Sequence, residues 1–192
     1  MNIVIFGPPG AGKGTQSNFI VKKFKLHQLS TGELLRKEIK EQTNLGVQIK
    51  SIINSGNLVS DEIVSNLIEK YIADKIYKNR LIFDGYPRNL NQATNLDSLL
   101  IKYNQKIDMV LKLSVSLETI KKRILERHSL EKRADDNEKI AIKRFETYEK
   151  NINPILEFYK QTNLLKVVNG EATISEISDE ISDLIEGNKG WL

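Results

Sequence analysis

Residues 2–15 read Asn2-Ile3-Val4-Ile5-Phe6-Gly7-Pro8-Pro9-Gly10-Ala11-Gly12-Lys13-Gly14-Thr15. The first five form a short run, apolar after Asn2 and largely β-branched, and Gly7 ends it. Such a short, unbroken apolar run predicts a strand buried on both faces, as in a parallel sheet. The glycine-rich turn that follows passes into a helical pattern over residues 15–24. A strand, a glycine-rich turn with Lys and a helix, in that order, form a phosphate-binding loop. The glycines let backbone N–H groups turn inward, the helix N-terminus adds partial positive charge, and Lys13 supplies a full one. Gly10, Ala11, Gly12, Lys13, Gly14 and Thr15 are therefore candidate phosphate ligands. The usual motif carries Ser or Thr directly after Lys to hold Mg²⁺, and here Gly14 stands there. The metal needs another seat, through water and a carboxylate. Asp84, at the end of a predicted strand, is the candidate, because ligand sites in open α/β sheets lie at that edge.

The same alternation continues along the chain. Strands are expected at 80–83, 108–113 and 164–168, and helices at 31–41, 46–53, 90–100, 116–126 and 138–160, the last with a bend at Pro154. Gly46 and Gly56 read as breaks. Ser60-Asp61-Glu62 opens a helix carrying Ile63, Val64, Leu67, Ile68, Ile72 and Ile76 at helical spacing. Thr173-Ile174-Ser175-Glu176 is a capping box before the final helix. Residues 127–136 are polar and charged and read as a loop. The expected fold class is α/β: three layers, a central parallel sheet flanked by helices around the phosphate loop. Residues 1–29, 60–126 and 137–192 form the core, 30–59 a small helical excursion, and 127–136 a short lid.

Composition narrows the function. The 192 residues are 40% hydrophobic and 28% charged, enough for a core. No apolar run is long enough to span a bilayer, and no leader is expected in residues 1–7. There is no Cys, and His27 and His128 are the two histidines, so thiolate zinc sites, disulfides and a Cys nucleophile are excluded. The net charge is +4 with pI near 9.1, but the basic residues are spread out, so a nucleic-acid partner is not expected. The cations are 22 Lys and 7 Arg. A chain that uses Lys for general charge keeps Arg for planar, bidentate phosphate contacts.

Gly7–Thr15, Leu29-Ser30-Thr31-Gly32-Glu33-Leu34-Leu35-Arg36, Asp84-Gly85-Tyr86-Pro87-Arg88, and Arg133-Ala134-Asp135-Asp136 with Arg144 occur in this order. The series resembles the adenylate kinase family, over nearly the whole chain, in its short-lid form. The resemblance implies reversible phosphoryl transfer from ATP·Mg²⁺ to AMP, giving two ADP, by a cytoplasmic monomer with no zinc and no membrane partner. It implies that Arg36 and Arg88 grip the AMP phosphate. Arg123 lies at the ATP adenine, Arg127 on the ATP phosphates, and Arg133 and Arg144 close over the transferring group. Asp135 and Asp136 orient those arginines. Thr31 and Gln92 read the AMP base, with Asn57, Leu58 and Val59 as its wall and Gly85, Tyr86 and Pro87 beside it. Ala172, after Val168-Asn169-Gly170, meets the ATP adenine through its backbone. Lys132 replaces the usual Gly before the second lid arginine.

Two other readings stand beside this one. A uridylate/cytidylate kinase of the same fold is favoured by Asn89 and disfavoured by Thr31 and Gln92. A nucleotide-binding switch without catalysis would not need a second set of phosphate arginines.

Overall fold

A computed structural model describes residues 1–131 and 138–188. The expectations on Lys132, Arg133, Asp135, Asp136 and Trp191 lie outside the described residues. So does the one on the side chain of His128.

The sheet has five parallel strands in the order β2-β3-β1-β4-β5. They are β1 (Ile3–Phe6), β2 (His27–Ser30), β3 (Leu81–Asp84), β4 (Met109–Ser114) and β5 (Leu165–Asn169). Period-2 alternation divides their side chains between two cores. Ile3 and Ile5, with Ile82, Met109 and Leu111, face α1 (Lys13–Phe24) and α8 (Ile174–Glu186). Val4 and Phe6, with Phe83 and Val110, face α4 (Asp61–Ala73), α5 (Leu90–Lys102) and α7 (Glu138–Lys160). All four β1 residues are at most 5% exposed. The three-layer α/β architecture expected from the sequence is the one observed.

Five details differ from the sequence reading. Strand β2 was not anticipated: His27-Gln28-Leu29-Ser30 is mostly polar, and it can be so because the strand lies at a sheet edge, with Leu29 as its one buried residue. Helix α1 begins at Lys13 rather than Thr15, so the lysine sits in its first turn. Helix α6 runs from Leu117 to Glu131, so residues 127–131 are helix, not loop. That segment lacks an apolar face, but Arg127, Leu130 and Glu131 are good helix formers and it holds neither Gly nor Pro.

Ser60 occupies the N-cap of α4, yet its side chain makes no capping bond, and α4 ends at Ala73, so Ile76 falls in the short turn after it and is exposed. Gly46 does not break a helix; it lies inside α3 (Asn44–Asn54), which follows α2 (Thr31–Lys40). A Cβ at Gly46 would fall 2.0 Å from the Glu38 carbonyl oxygen, so its small size is what lets α3 close against α2. Gly56, at φ +74°, is the true break. Helix α7 continues through Pro154, and the capping box at Thr173 and Glu176 forms as expected.

Arg80, the arginine outside every motif, has a structural task. Its Nη2 donates to the carbonyl of Lys25, which ends α1 in the left-handed region.

Gly46→Ala therefore forces α2 and α3 apart. Overpacking of this kind costs about 1–3 kcal/mol, which lowers Tm by roughly 2–10 °C in a chain of this size. Thermal unfolding of the purified variant checks it.

Candidate active site

Asp84 ends β3, and Lys13, Gly85 and Gly170 follow strands, all at the carboxyl edge of the sheet, where loops can open a crevice. Gly10 and Gly12 have φ of +84° and +91°, a region that favours glycine. Gly10 also needs its bareness, because a Cβ there would lie 3.0 Å from Ile124 on α6. Lys13 Nζ donates to the carbonyls of Gly7 (2.7 Å) and Pro8 (3.1 Å). An ammonium has three donors, so one remains for a phosphate oxygen.

This loop floors a cleft of about 470 Å³. Gly10 to Thr15, Arg123, Arg127, Asp84 and Ala172 all line it. Arg123 Nη2 donates to Gly170 O (3.0 Å) and its Nη1 to Ala11 O (3.4 Å), so it ties the phosphate loop to the turn that precedes Ala172. Asn169 Oδ1 accepts from Glu171 N in that turn (3.0 Å). Glu171 in turn accepts from Thr119 Oγ1 (2.6 Å) and Ser116 N (2.5 Å). These bonds, the Thr119 hydroxyl first, hold its carboxyl down to about 2. Glu171 was not singled out in the sequence, since one acid in a polar turn carries no signal of its own.

A second, smaller cavity of about 60 Å³ lies beyond Gly85. Thr31, Arg36, Gln92 and the Asn57-Leu58-Val59 segment line it, with Gly85 and Arg88. Gly85, at φ +79°, offers its carbonyl to two donors, Thr31 Oγ1 (2.9 Å) and Arg88 Nε (2.7 Å). A third cavity, bordered by Pro87 and Lys13, adjoins both. Arg88 and Arg144 line all three.

The ring of Tyr86 turns away into the core, 1% exposed, and lines none of these cavities. Its hydroxyl finds the partner it needs in Asn95 Nδ2 (3.3 Å). Asp84 is 8% exposed and its Oδ2 accepts from Gln28 Nε2 (2.9 Å). Gln28, on the unanticipated strand β2, is a second residue the sequence reading missed. Among the described residues no group of three or more His, Cys, Asp or Glu side chains could hold a metal ion. Asp84, a carboxylate lining the same cleft as the phosphate loop, suits Mg²⁺, which keeps several waters and takes one or two carboxylates plus substrate oxygens.

Burial lowers Lys13 to about 8; Asp84 opposes that shift, and Arg88, Arg144 and Arg127 add to it. A cleft that depresses its own lysine in this way is prepared for an anion.

A phosphate loop that shares arginines with a second polar pocket defines a phosphotransferase acting between two phosphorylated substrates. The comparisons with known proteins agree. A family model described as adenylate kinase matches residues 5–164. The adenylate kinase of Pelagibacter ubique is 42% identical, over 97% of this chain and all of its own length. Those of Xanthomonas campestris (40%; 96% of this chain, 99% of the relative) and Porphyromonas gingivalis (39%; 97% and 96%) are similar to it as well. The chain belongs to the adenylate kinase family, enzymes that move a phosphoryl group between ATP and AMP.

Bound phosphate favours protonated Lys13 and raises its pKa. Above about pH 8 each ATP bound must therefore bring a proton with it. The Kd of a non-hydrolysable ATP analogue should rise about tenfold per pH unit above that point. Calorimetric titration from pH 7 to 9.5 checks this, and the limb should be absent in Lys13→Met.

Proposed function

We propose that the 470 Å³ cleft takes ATP, that the smaller cavity takes AMP, and that transfer occurs where Arg88 and Arg144 border both. That shared border is the observation that carries the reading. Phosphoryl transfer asks mainly for positioning and charge stabilisation. The acceptor phosphate is largely dianionic at neutral pH, so no general base is required.

In this reading the backbone N–H groups of residues 10–15 cradle the donor phosphates. Lys13 follows the transferring group, and Arg123 and Arg127 hold the donor's adenine and phosphate ends. Arg36 and Arg88 anchor the acceptor phosphate. Arg144 closes over the reacting atoms together with Arg133, assigned by resemblance. Asp84, held by Gln28, would seat Mg²⁺ through water. The ion, when bound, neutralises charge developing on the phosphate oxygens. Residues 30–59 and the short lid are the parts that close over AMP and ATP, excluding water. The monomer is the assembly that the family resemblance implies. Among the described residues no helix is long and apolar enough to cross a membrane.

Asn89 does not favour a pyrimidine acceptor. Its Oδ1 accepts from Gln92 N (2.8 Å) as the N-cap of α5, and its Nδ2 donates to Asp61 (2.9 and 3.1 Å). Its amide is committed to the scaffold rather than to a base.

The test is a coupled assay for ADP with ATP·Mg²⁺ and a panel of acceptors. AMP should exceed UMP and CMP in kcat/KM by about a hundredfold or more, since a smaller base leaves buried amide groups unsatisfied. UMP or CMP within tenfold of AMP would replace this assignment with the pyrimidine kinase. Lys13→Ala should lower kcat about a thousandfold while the protein stays folded. A loss under tenfold would remove Lys13 from the reaction. Elemental analysis after dialysis should find no stoichiometric zinc.

A further inference from the structure

We propose that Asp61 is a positioning residue for acceptor choice, acting through the side-chain amide of Gln92. The inference rests on the reading that the smaller cavity takes the acceptor base. Gln92 is 2% exposed and lines that cavity. Its Nε2 donates to Asp61 Oδ1 at 2.7 Å, and its Oε1 accepts from the backbone N–H of Arg88 at 2.7 Å. A carboxylate only accepts and a backbone N–H only donates, so these two contacts fix which end of the amide is oxygen and which is nitrogen.

Asp61, the first residue of α4, is itself held in place. Asn89 Nδ2 bridges both its oxygens at 2.9 and 3.1 Å, and Asn89 Oδ1 accepts from Gln92 N at 2.8 Å. Asp61, Asn89 and Gln92 thus close a ring of hydrogen bonds between α4 and α5.

The count that remains decides the chemistry. The Gln92 amide nitrogen has two hydrogens and the oxygen two lone pairs, so one donor and one acceptor are left. Adenine offers the complementary pair on one edge, an exocyclic amine that donates and a bare ring nitrogen that accepts. Hypoxanthine offers the mirror image: a carbonyl where adenine has its amine, and a protonated ring nitrogen beside it. An amide free to turn over would suit either base. An amide locked at its nitrogen by Asp61 and at its oxygen by the Arg88 N–H suits only the first, because the second would set like groups against each other; without Asp61 one of the two locks is gone and turning over costs less.

The probe is inosine monophosphate, compared with AMP as acceptor at fixed ATP·Mg²⁺. The wild type should prefer AMP in kcat/KM by about a hundredfold or more. Asp61→Ala should cut that preference at least tenfold, through a higher KM for AMP and a lower KM for inosine monophosphate rather than through kcat. Asp61→Leu, similar in size and without an acceptor, should do the same and serves if the alanine variant does not fold. Asp61→Asn keeps an oxygen for Gln92 Nε2 and should retain the preference to within about threefold.

If Asp61→Ala or Asp61→Leu slows both acceptors alike and leaves the ratio within twofold of wild type, Asp61 merely supports the helix and the proposal is overturned. Gln92→Ala separates this from the parent reading. Should it leave the KM for AMP unchanged, or should the wild type not prefer AMP, the smaller cavity is not the base pocket and both readings fall.

Discussion

Several cations must be held close to one point, and the rest of the structure is arranged around that demand. Burial pulls the Lys13 amine down to about 8, against the pull of Asp84, and Arg88, Arg144 and Arg127 add to the shift. Left in water they would disperse. Lys13, Arg88 and Arg123 are seated on backbone carbonyls that follow the strands. Lys13 rests on Gly7 and Pro8 after β1, Arg88 on Gly85 after β3, and Arg123 on Gly170 after β5. Carbonyl oxygens at the carboxyl edge of a parallel sheet have no ladder partner beyond the last strand residue, so they are available as acceptors. The parallel sheet therefore does more than bury Ile3–Phe6. It supplies a row of partial negative charges on which guanidinium and ammonium groups can be fixed where they line the cleft.

The opposite edge of the same sheet has the reverse assignment. Asn2 is fully buried and entirely occupied: its Oδ1 accepts from Leu81 N, its Nδ2 donates to Gln105 Oε1 and Lys106 O, and its backbone N–H reaches Asp108. Gln105 extends the knot by accepting from Asn79 N and donating to Ile72 O. A fully satisfied buried network rigidifies, whereas a half-satisfied one would be worse than an apolar contact. One end of the strands is thus pinned by neutral amides, and the other end is left open with charges facing a crevice.

This division explains what could be read from the sequence. The phosphate loop was legible because its constraints are local: Gly10 and Gly12 need left-handed backbone, and Lys13 must follow them at once. The core strands were legible because burial on both faces demands an unbroken apolar run. Strand β2 was not, since it lies at a sheet edge, where half-buried polar side chains such as His27 and Gln28 are tolerated and leave no apolar run. Gly46 was misread because its requirement is tertiary, the approach of the Glu38 carbonyl, and in one dimension it looks like any helix breaker. Residues 127–131 were misread because helix propensity without an apolar face leaves no periodicity to find. Gln28 and Glu171 act by holding another functional group, and a residue whose task is a single long-range hydrogen bond leaves no pattern in its own neighbourhood.

Asn89 shows how far such second partners can change a functional reading. In sequence it is the one residue that points toward a pyrimidine acceptor, and an exposed amide at that place would be free to meet a base carbonyl. In the structure both ends of the amide are used, one to cap α5 and the other on Asp61. The same carboxylate takes Gln92. Two amides compete for one acid, and the outcome is that the nearer-surface amide is retired while the buried one keeps a single donor and a single acceptor for the cavity. Specificity at this site is then a property of what the amides are already bonded to, more than of their identities. A chain with the same Thr31, Asn89 and Gln92 but no acceptor at position 61 would have the same motif and a different set of atoms facing the base.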